Sequence, residues 1–194
     1  MFQSRIHGRG GQGVVTAAEL LSVAAFYDGK YAQAFPSFGS ERTGAPVVAY
    51  ARFDEKPIRL REPVLQPDAL IIQDPTLLHQ VDVFSGIRDD GYILINTTKS
   101  WEQLGLESLA HSEFDYRRLT VPASEYAMKY VGRPLPNAAL LGGYAAATRQ
   151  VALESVIRAI EERFPAKIAE ANVNAAREAY DYVRAQKLEA RAHA

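Results

Sequence analysis

The chain has 194 residues, with 22 Lys and Arg against 23 Asp and Glu, 47% hydrophobic residues and no Cys. That composition describes one α/β or α+β domain, and near-zero charge with dispersed basic residues leaves no electrostatic footprint for a nucleic-acid backbone. Without Cys there is no disulfide, no zinc–thiolate site, no cysteine nucleophile and no iron–sulfur cluster held by this chain, so any redox centre comes from elsewhere.

Phe2, Ser4 and Ile6 alternate with Gln3, Arg5 and His7 ahead of a glycine cluster, and from Val14 apolar residues recur at i+3 and i+4. This predicts strand, tight turn and helix. The run from Val14 to Phe26 is interrupted by Thr16, Glu19 and Ser22, too polar to span a membrane, and Met1 to Arg5 is no signal peptide, so a cytoplasmic protein is expected. Asp28-Gly29-Lys30 ends the helix, Tyr31 to Phe35 is a second extended segment, and together these residues read as a βαβ unit. Pro46 to Arg52 predicts a strand, Arg59 to Pro63 an irregular connection, and Ala69 to Gln73 a short buried strand ended by Asp74-Pro75. Thr76 to Phe84 carries a weak helical pattern, Asp89-Asp90-Gly91 a turn, and Tyr92 to Ile95 a second buried strand that emits the polar loop Asn96-Thr97-Thr98-Lys99-Ser100. Two buried strands joined by a helix favour a parallel sheet. Tyr116 to Val121 is predicted as the last strand, followed from Ser124 by three or four helices. With no repeat and no long linker, the expectation is a single α/β domain over residues 1–194. Its sheet is largely parallel, its first βα turn Rossmann-like and glycine-rich, and its C-terminus a helical extension over residues 166–194.

Gly8-Arg9-Gly10-Gly11-Gln12-Gly13 matches G-x-G-x-x-G after a predicted strand and before a predicted helix. Glycines permit positive φ and close approach of an anion to the backbone, and the free N–H groups and dipole of the helix start favour phosphate. The plainer reading is a tight turn that needs glycine only for helix–strand packing. A dinucleotide site also wants an acidic residue ending the second strand, and Tyr31 to Phe35 runs into Pro36-Ser37-Phe38 instead, with Glu41 beyond. An NAD-dependent dehydrogenase is therefore disfavoured.

The segment from Phe35 to Pro46 is dense in aromatic, small and charged residues, a composition typical of functional loops. Arg42 is placed to meet a phosphate or a partner carboxylate; the bland alternative is an exposed pair with Glu41 on a turn. Phe35 and Phe38 are expected at an interface, or else in this chain's own core.

Gly8 to Gly13 followed by Phe35-Pro36-Ser37-Phe38-Gly39-Ser40-Glu41-Arg42-Thr43-Gly44-Ala45-Pro46-Val47 resembles the gamma subunit of 2-oxoacid:ferredoxin oxidoreductases of the pyruvate type. The resemblance continues in Asp74-Pro75-Thr76, Ile95-Asn96-Thr97 and Pro136 to Gly142, and covers residues 2–160. It implies an α/β subunit that helps hold coenzyme A in a complex converting 2-oxoacid and CoA to acyl-CoA, carbon dioxide and reduced acceptor. Thiamine diphosphate, Mg and the 4Fe–4S clusters are then confined to partner subunits of alpha, beta and delta type, which pass electrons to ferredoxin or another acceptor. The phosphate-loop role carries onto Gly8, Gly10, Gly11 and Gly13, with Arg9 and Gln12 flanking the anion. Asn96, Thr97, Thr98 and Asn137 match family motifs at the cofactor side of the sheet. No catalytic acid, base or nucleophile is implied in this chain. Pyruvate is the implied substrate, with an aromatic 2-oxoacid as in phenylglyoxylate dehydrogenase left open. The rivals are a free-standing NAD-dependent dehydrogenase and a structural subunit that binds nothing.

His7 reads as a polar strand-end residue, while His79, His111 and His193 lack metal-ligand spacing. The Ser residues show no G-x-S-x-G elbow. Tyr116, Tyr126, Tyr130 and Tyr144 read as core and interface packing.

Overall fold

Strand β1, Phe2–Arg9, runs through the middle of a six-stranded sheet in a computed structural model that describes residues 1–37, 42–109 and 114–192. The other strands are β2 (Tyr31–Pro36), β3 (Pro46–Asp54), β4 (Ala69–Ile72), β5 (Tyr92–Asn96) and β6 (Arg118–Val121), in the order β2-β3-β1-β4-β5-β6. β1, β4, β5 and β6 pair in parallel, whereas β3 is antiparallel to both β1 and β2. The expected βαβ unit is thus split, because β3 inserts between β1 and β2. That insertion also removes the dinucleotide arrangement: the neighbour of β1 on this side is antiparallel, and its Pro46 lies opposite Arg9.

Among the described residues five α-helices follow the sequence pattern: α1 (Val14–Tyr27), α2 (Ala123–Val131), α3 (Asn137–Thr148), α4 (Leu153–Arg163) and α5 (Ala166–Ala192). They share one core with Ile6, Ala51, Phe53, Ile71, Leu94 and Val121 of the strands. Every residue of α3 is buried, as an apolar helix between two layers must be. The C-terminal helix α5 is no appendage, since Ala175, Ala176, Ala179 and Val183 are buried in this core. Tyr144 is fully buried with its hydroxyl 2.7 Å from that of Ser4, and Tyr126 meets Tyr182 edge-on, so the tyrosines pack in separate places. No helix among the described residues is long and apolar enough to cross a membrane.

Among the described residues the opposite face is covered without a regular helix. Leu70, Ile72, Ile93 and Ile95 pack under Leu77, Val83, Phe84 and Trp101 from the connections. The expected helix from Thr76 to Phe84 is only a 3₁₀ turn, Pro75–His79, capped by Asp74. Buried Arg5 supplies the physical reason: its guanidinium donates to the carbonyls of Val64, Val83 and Ser85, tying this connection down in irregular form. β6 likewise begins at Arg118, after a 3₁₀ turn at Asp115–Arg117.

Candidate functional site

The glycine turn leaves the carboxyl end of β1 and enters α1, with Gly11 at φ 91° and Gly13 at φ 73°. Among the described residues no side chain caps α1, and no acidic residue stands in its first turn. Its positive end is therefore open to an anion. A depression of about 240 Å³ lies there, lined by Gly10, Gly11, Gly13 and the first turn of α1.

The loop glycines do different jobs. A β-carbon on Gly8 would sit 2.5 Å from Val14 Cγ2, one on Gly10 2.3 Å from the Arg42 carbonyl, and one on Gly13 2.6 Å from Asn137 Nδ2. These three serve close packing. At Gly11 the nearest atom among the described residues would be the Thr43 methyl at 4.0 Å. Gly11 faces room.

The segment after residue 41 docks on this turn through backbone bonds: Gly10 N–H donates to the Ala45 carbonyl at 2.9 Å, and Gly44 N–H to the Gly10 carbonyl at 3.0 Å. Arg42 is thereby brought beside Gly10, exposed and with no side-chain hydrogen bond or ion pair among the described residues. Phe35 lies back in the sheet, 5.0 Å from the Tyr50 ring and beneath Arg52, which favours the own-domain reading for this residue. Phe38, Gly39, Ser40 and Glu41 lie outside the described residues.

Asp74, at the end of β4, is the hub that sequence reasoning missed. Its carboxylate accepts from Arg9 Nε at 3.1 Å, Gln12 Nε2 at 2.8 Å, and both the N–H and hydroxyl of Thr76. Burial alone would raise its pKa, but the Thr76 hydroxyl, the Gln12 amide, the Thr76 N–H and the Arg9 charge outweigh it and hold the carboxyl below its usual value. Arg9 further donates to Gly44 O, Thr76 Oγ1 and Gln80 Oε1. Gln12 accepts the N–H of Arg9 through Oε1. Both side chains are thus engaged as struts that shape the turn. Gln73 adds a third strut, donating to the Gln12 carbonyl at 2.6 Å. The signal was available: Gln-Asp-Pro-Thr directly follows a buried strand, where open α/β sheets place their sites.

Asn137 starts α3 beside Gly13, so the positive ends of α1 and α3 meet. Asn96 is buried one strand further on and donates to the Gln73 carbonyl and Ser124 hydroxyl, while its Oδ1 accepts from Ser124 N–H. It joins the site through Gln73 and not through a free amide. Thr97 donates its backbone N–H to Val121 O. Thr98 is set apart from the turn, exposed on a separate cleft of about 410 Å³ with Trp101, Arg118 and Gln186. His7 is buried next to Gly8 and accepts from Arg5 Nε at 2.9 Å; burial, then the Arg5 charge, pushes its pKa down to about 4.

Residues 3–182 match the family described as pyruvate ferredoxin/flavodoxin oxidoreductase. The chain belongs to that family. It is 48% identical over 181 residues to the pyruvate/ketoisovalerate oxidoreductases common subunit gamma of Pyrococcus abyssi, covering 93% of this chain and 96% of the relative. It is 54% identical over 160 residues to pyruvate synthase subunit PorC of Methanosarcina barkeri, covering 82% and 85%. The solved pyruvate oxidoreductase subunit PORC of Thermotoga maritima superposes with a TM-score of 0.78 at 36% identity, covering 93% of this chain and 96% of that one. Within the family the similarity is thus to gamma subunits, spanning nearly their whole length. The α/β fold inferred from the glycine turn and the buried strands is the fold of that structural neighbour.

Proposed function

We propose that this chain serves as the gamma subunit of a cytoplasmic, CoA-acylating 2-oxoacid:acceptor oxidoreductase, with pyruvate as the favoured substrate, and that it holds the pyrophosphate of coenzyme A. The observation that carries the CoA reading is the uncapped start of α1, with Gly11 facing a depression beside exposed Arg42. Backbone N–H groups and the helix dipole would meet the pyrophosphate, Arg42 would add a charge-assisted donor, and Asn137 would border the same end. Arg9, Gln12, Gly8, Gly10 and Gly13 would keep the turn in shape, Asn96 would support it through Gln73, and Thr97 is tied to Val121 instead. Thr98 is left out of this role.

Holding the cofactor at two helix ends would orient its thiol and lower the entropic cost of acyl transfer. Thiamine diphosphate, Mg and the 4Fe–4S clusters would be held by alpha, beta and delta-type partners, since this chain has no Cys to ligate iron. Ferredoxin or another acceptor would be reached through those partners.

The test compares Gly11→Asp with Gly11→Asn in the assembled enzyme. Both add a similar side chain at positive φ, which Asn and Asp tolerate best, so their difference isolates the charge. Asp is expected to raise KM for CoA about tenfold over Asn, equivalent to about 1.4 kcal/mol, with KM for the 2-oxoacid unchanged. Equal KM values for CoA in the two variants would refute the pyrophosphate role.

A further inference from the structure

The 14 residues of α1 carry the chain roughly 20 Å from the glycine turn. At that far end, the C-termini of α1 and α3 and the start of α4 surround a cleft of about 600 Å³ that includes Lys30, Arg149, Arg184 and Asp28. Asp28 is already committed, because its carboxylate accepts from Ala152 N–H at 2.7 Å and from the Ser155 hydroxyl. Lys30 donates to the Gln150 carbonyl at 2.7 Å. The side chains of Arg149 and Arg184 are exposed and make no hydrogen bond or ion pair among the described residues. The cleft therefore holds three cations against one carboxylate that is in use.

Arg149 is also out of place by backbone criteria. It ends α3 at φ 56°, and it is the only non-glycine residue at positive φ among the described residues. Glycine usually occupies such a C-terminal position, since a β-carbon there is strained. Balancing the negative end of α3 does not account for an arginine, because Lys187 already donates to the Ala146 and Ala147 carbonyls. Beside the cleft, and sharing Lys30 with it, lies an apolar depression lined by Val23, Phe26 and Tyr31, with Phe26 70% exposed. It borders β2, an edge strand without a charged side chain, the kind of edge that proteins usually cover.

We propose that this end of the molecule seats another subunit of the oxidoreductase, one that lays an apolar side chain against Phe26 and Tyr31 and places carboxylates in the Lys30–Arg149–Arg184 cleft. An aromatic centre flanked by arginine is the composition of an interface hot spot. A second copy of this chain is the poorer occupant, because a two-fold contact needs one patch to supply both signs of charge and the one carboxylate lining the cleft, Asp28, is already engaged. The proposal rests on the gamma-subunit reading above, not on its CoA part.

The experiment uses the complex purified through this chain, with the double variant Arg149→Gly/Arg184→Ala and, separately, the exposed Phe26→Ser. Each is expected to lower the salt concentration at which the complex dissociates by at least twofold, while KM for CoA stays unchanged in complex assembled at low salt. Arg149→Gly alone is expected to raise the Tm of the isolated chain as the strain is released, a sign opposite to its effect on assembly. A salt midpoint equal to wild type in both variants would overturn the proposal. So would a wild-type chain that self-associates through this surface, shown by Phe26→Ser dissolving a dimer. If no other subunit accompanies the wild-type chain, the gamma-subunit reading fails and takes the proposal with it.

Discussion

A β-carbon added to Gly142 in α3 would sit 1.9 Å from the Ala176 carbonyl of α5, whereas one added to Gly11 would meet nothing nearer than 4.0 Å among the described residues. Both glycines belong to segments that carry the family resemblance, and neither segment says which role its glycine plays. Gly142 exists so that two helix backbones can touch in the core. Gly11 exists because the turn needs positive φ next to open space. Within the turn itself, Gly8, Gly10 and Gly13 side with Gly142, so a glycine-rich motif mixes packing with exposure in adjacent positions.

The sharpest way to break this contrast is Gly142→Ala. The added methyl meets backbone and not a movable side chain end, so the chain is expected to lose about 3 kcal/mol or more, or to fail to fold. Denaturant melts would show it, and near-wild-type stability would mean the α3–α5 contact is looser than described.

The next effect comes from His7, under the turn. Its folded-state pKa lies at about 4, below the ordinary 6.5, because burial and Arg5 disfavour its charged form. The unfolded chain then binds the proton first, so stability falls as pH drops from 6.5 towards 4, by up to about 1.4 kcal/mol per pH unit from this group. His7→Gln should flatten that part of the stability-versus-pH curve relative to wild type. An unchanged slope would place the imidazole in contact with solvent.

The smallest effect is expected for Gly11→Ala, whose methyl would make only an ordinary contact with Thr43 among the described residues and would suffer from its φ of 91°, about 1 kcal/mol of strain. Gly10→Ala, driven against the Arg42 carbonyl, should lose clearly more stability. Reversal of that order in thermal melts would undo the division between packing and open glycines.

Much of this was legible along the chain. The strand, turn and helix at the N-terminus, the buried strands Ala69–Ile72 and Tyr92–Asn96 and the helical C-terminal part all stand where local periodicity put them. The candidate site was legible in part: the turn, Arg42 and Asn137 come together, while Thr98 does not and Asp74 went unnoticed as a hub. The connection after Asp74 misled because Leu77, Val83 and Phe84 are apolar at near-helical spacing, yet their job is to cover the sheet.

What the sequence by itself determined was the type of most elements, since alternation, 3.6-residue periodicity, glycine and proline act over a few neighbouring residues. The absence of Cys likewise settled that no thiolate of this chain holds a cluster. Only the tertiary structure decided that β3 enters between β1 and β2, that Arg5 replaces a helix by its hold on Val83 and Ser85, and that one glycine of four in the turn faces space. Those outcomes depend on contacts between residues far apart in the chain, where burial, carbonyl satisfaction and close approach are set by the partner and leave no mark on local pattern.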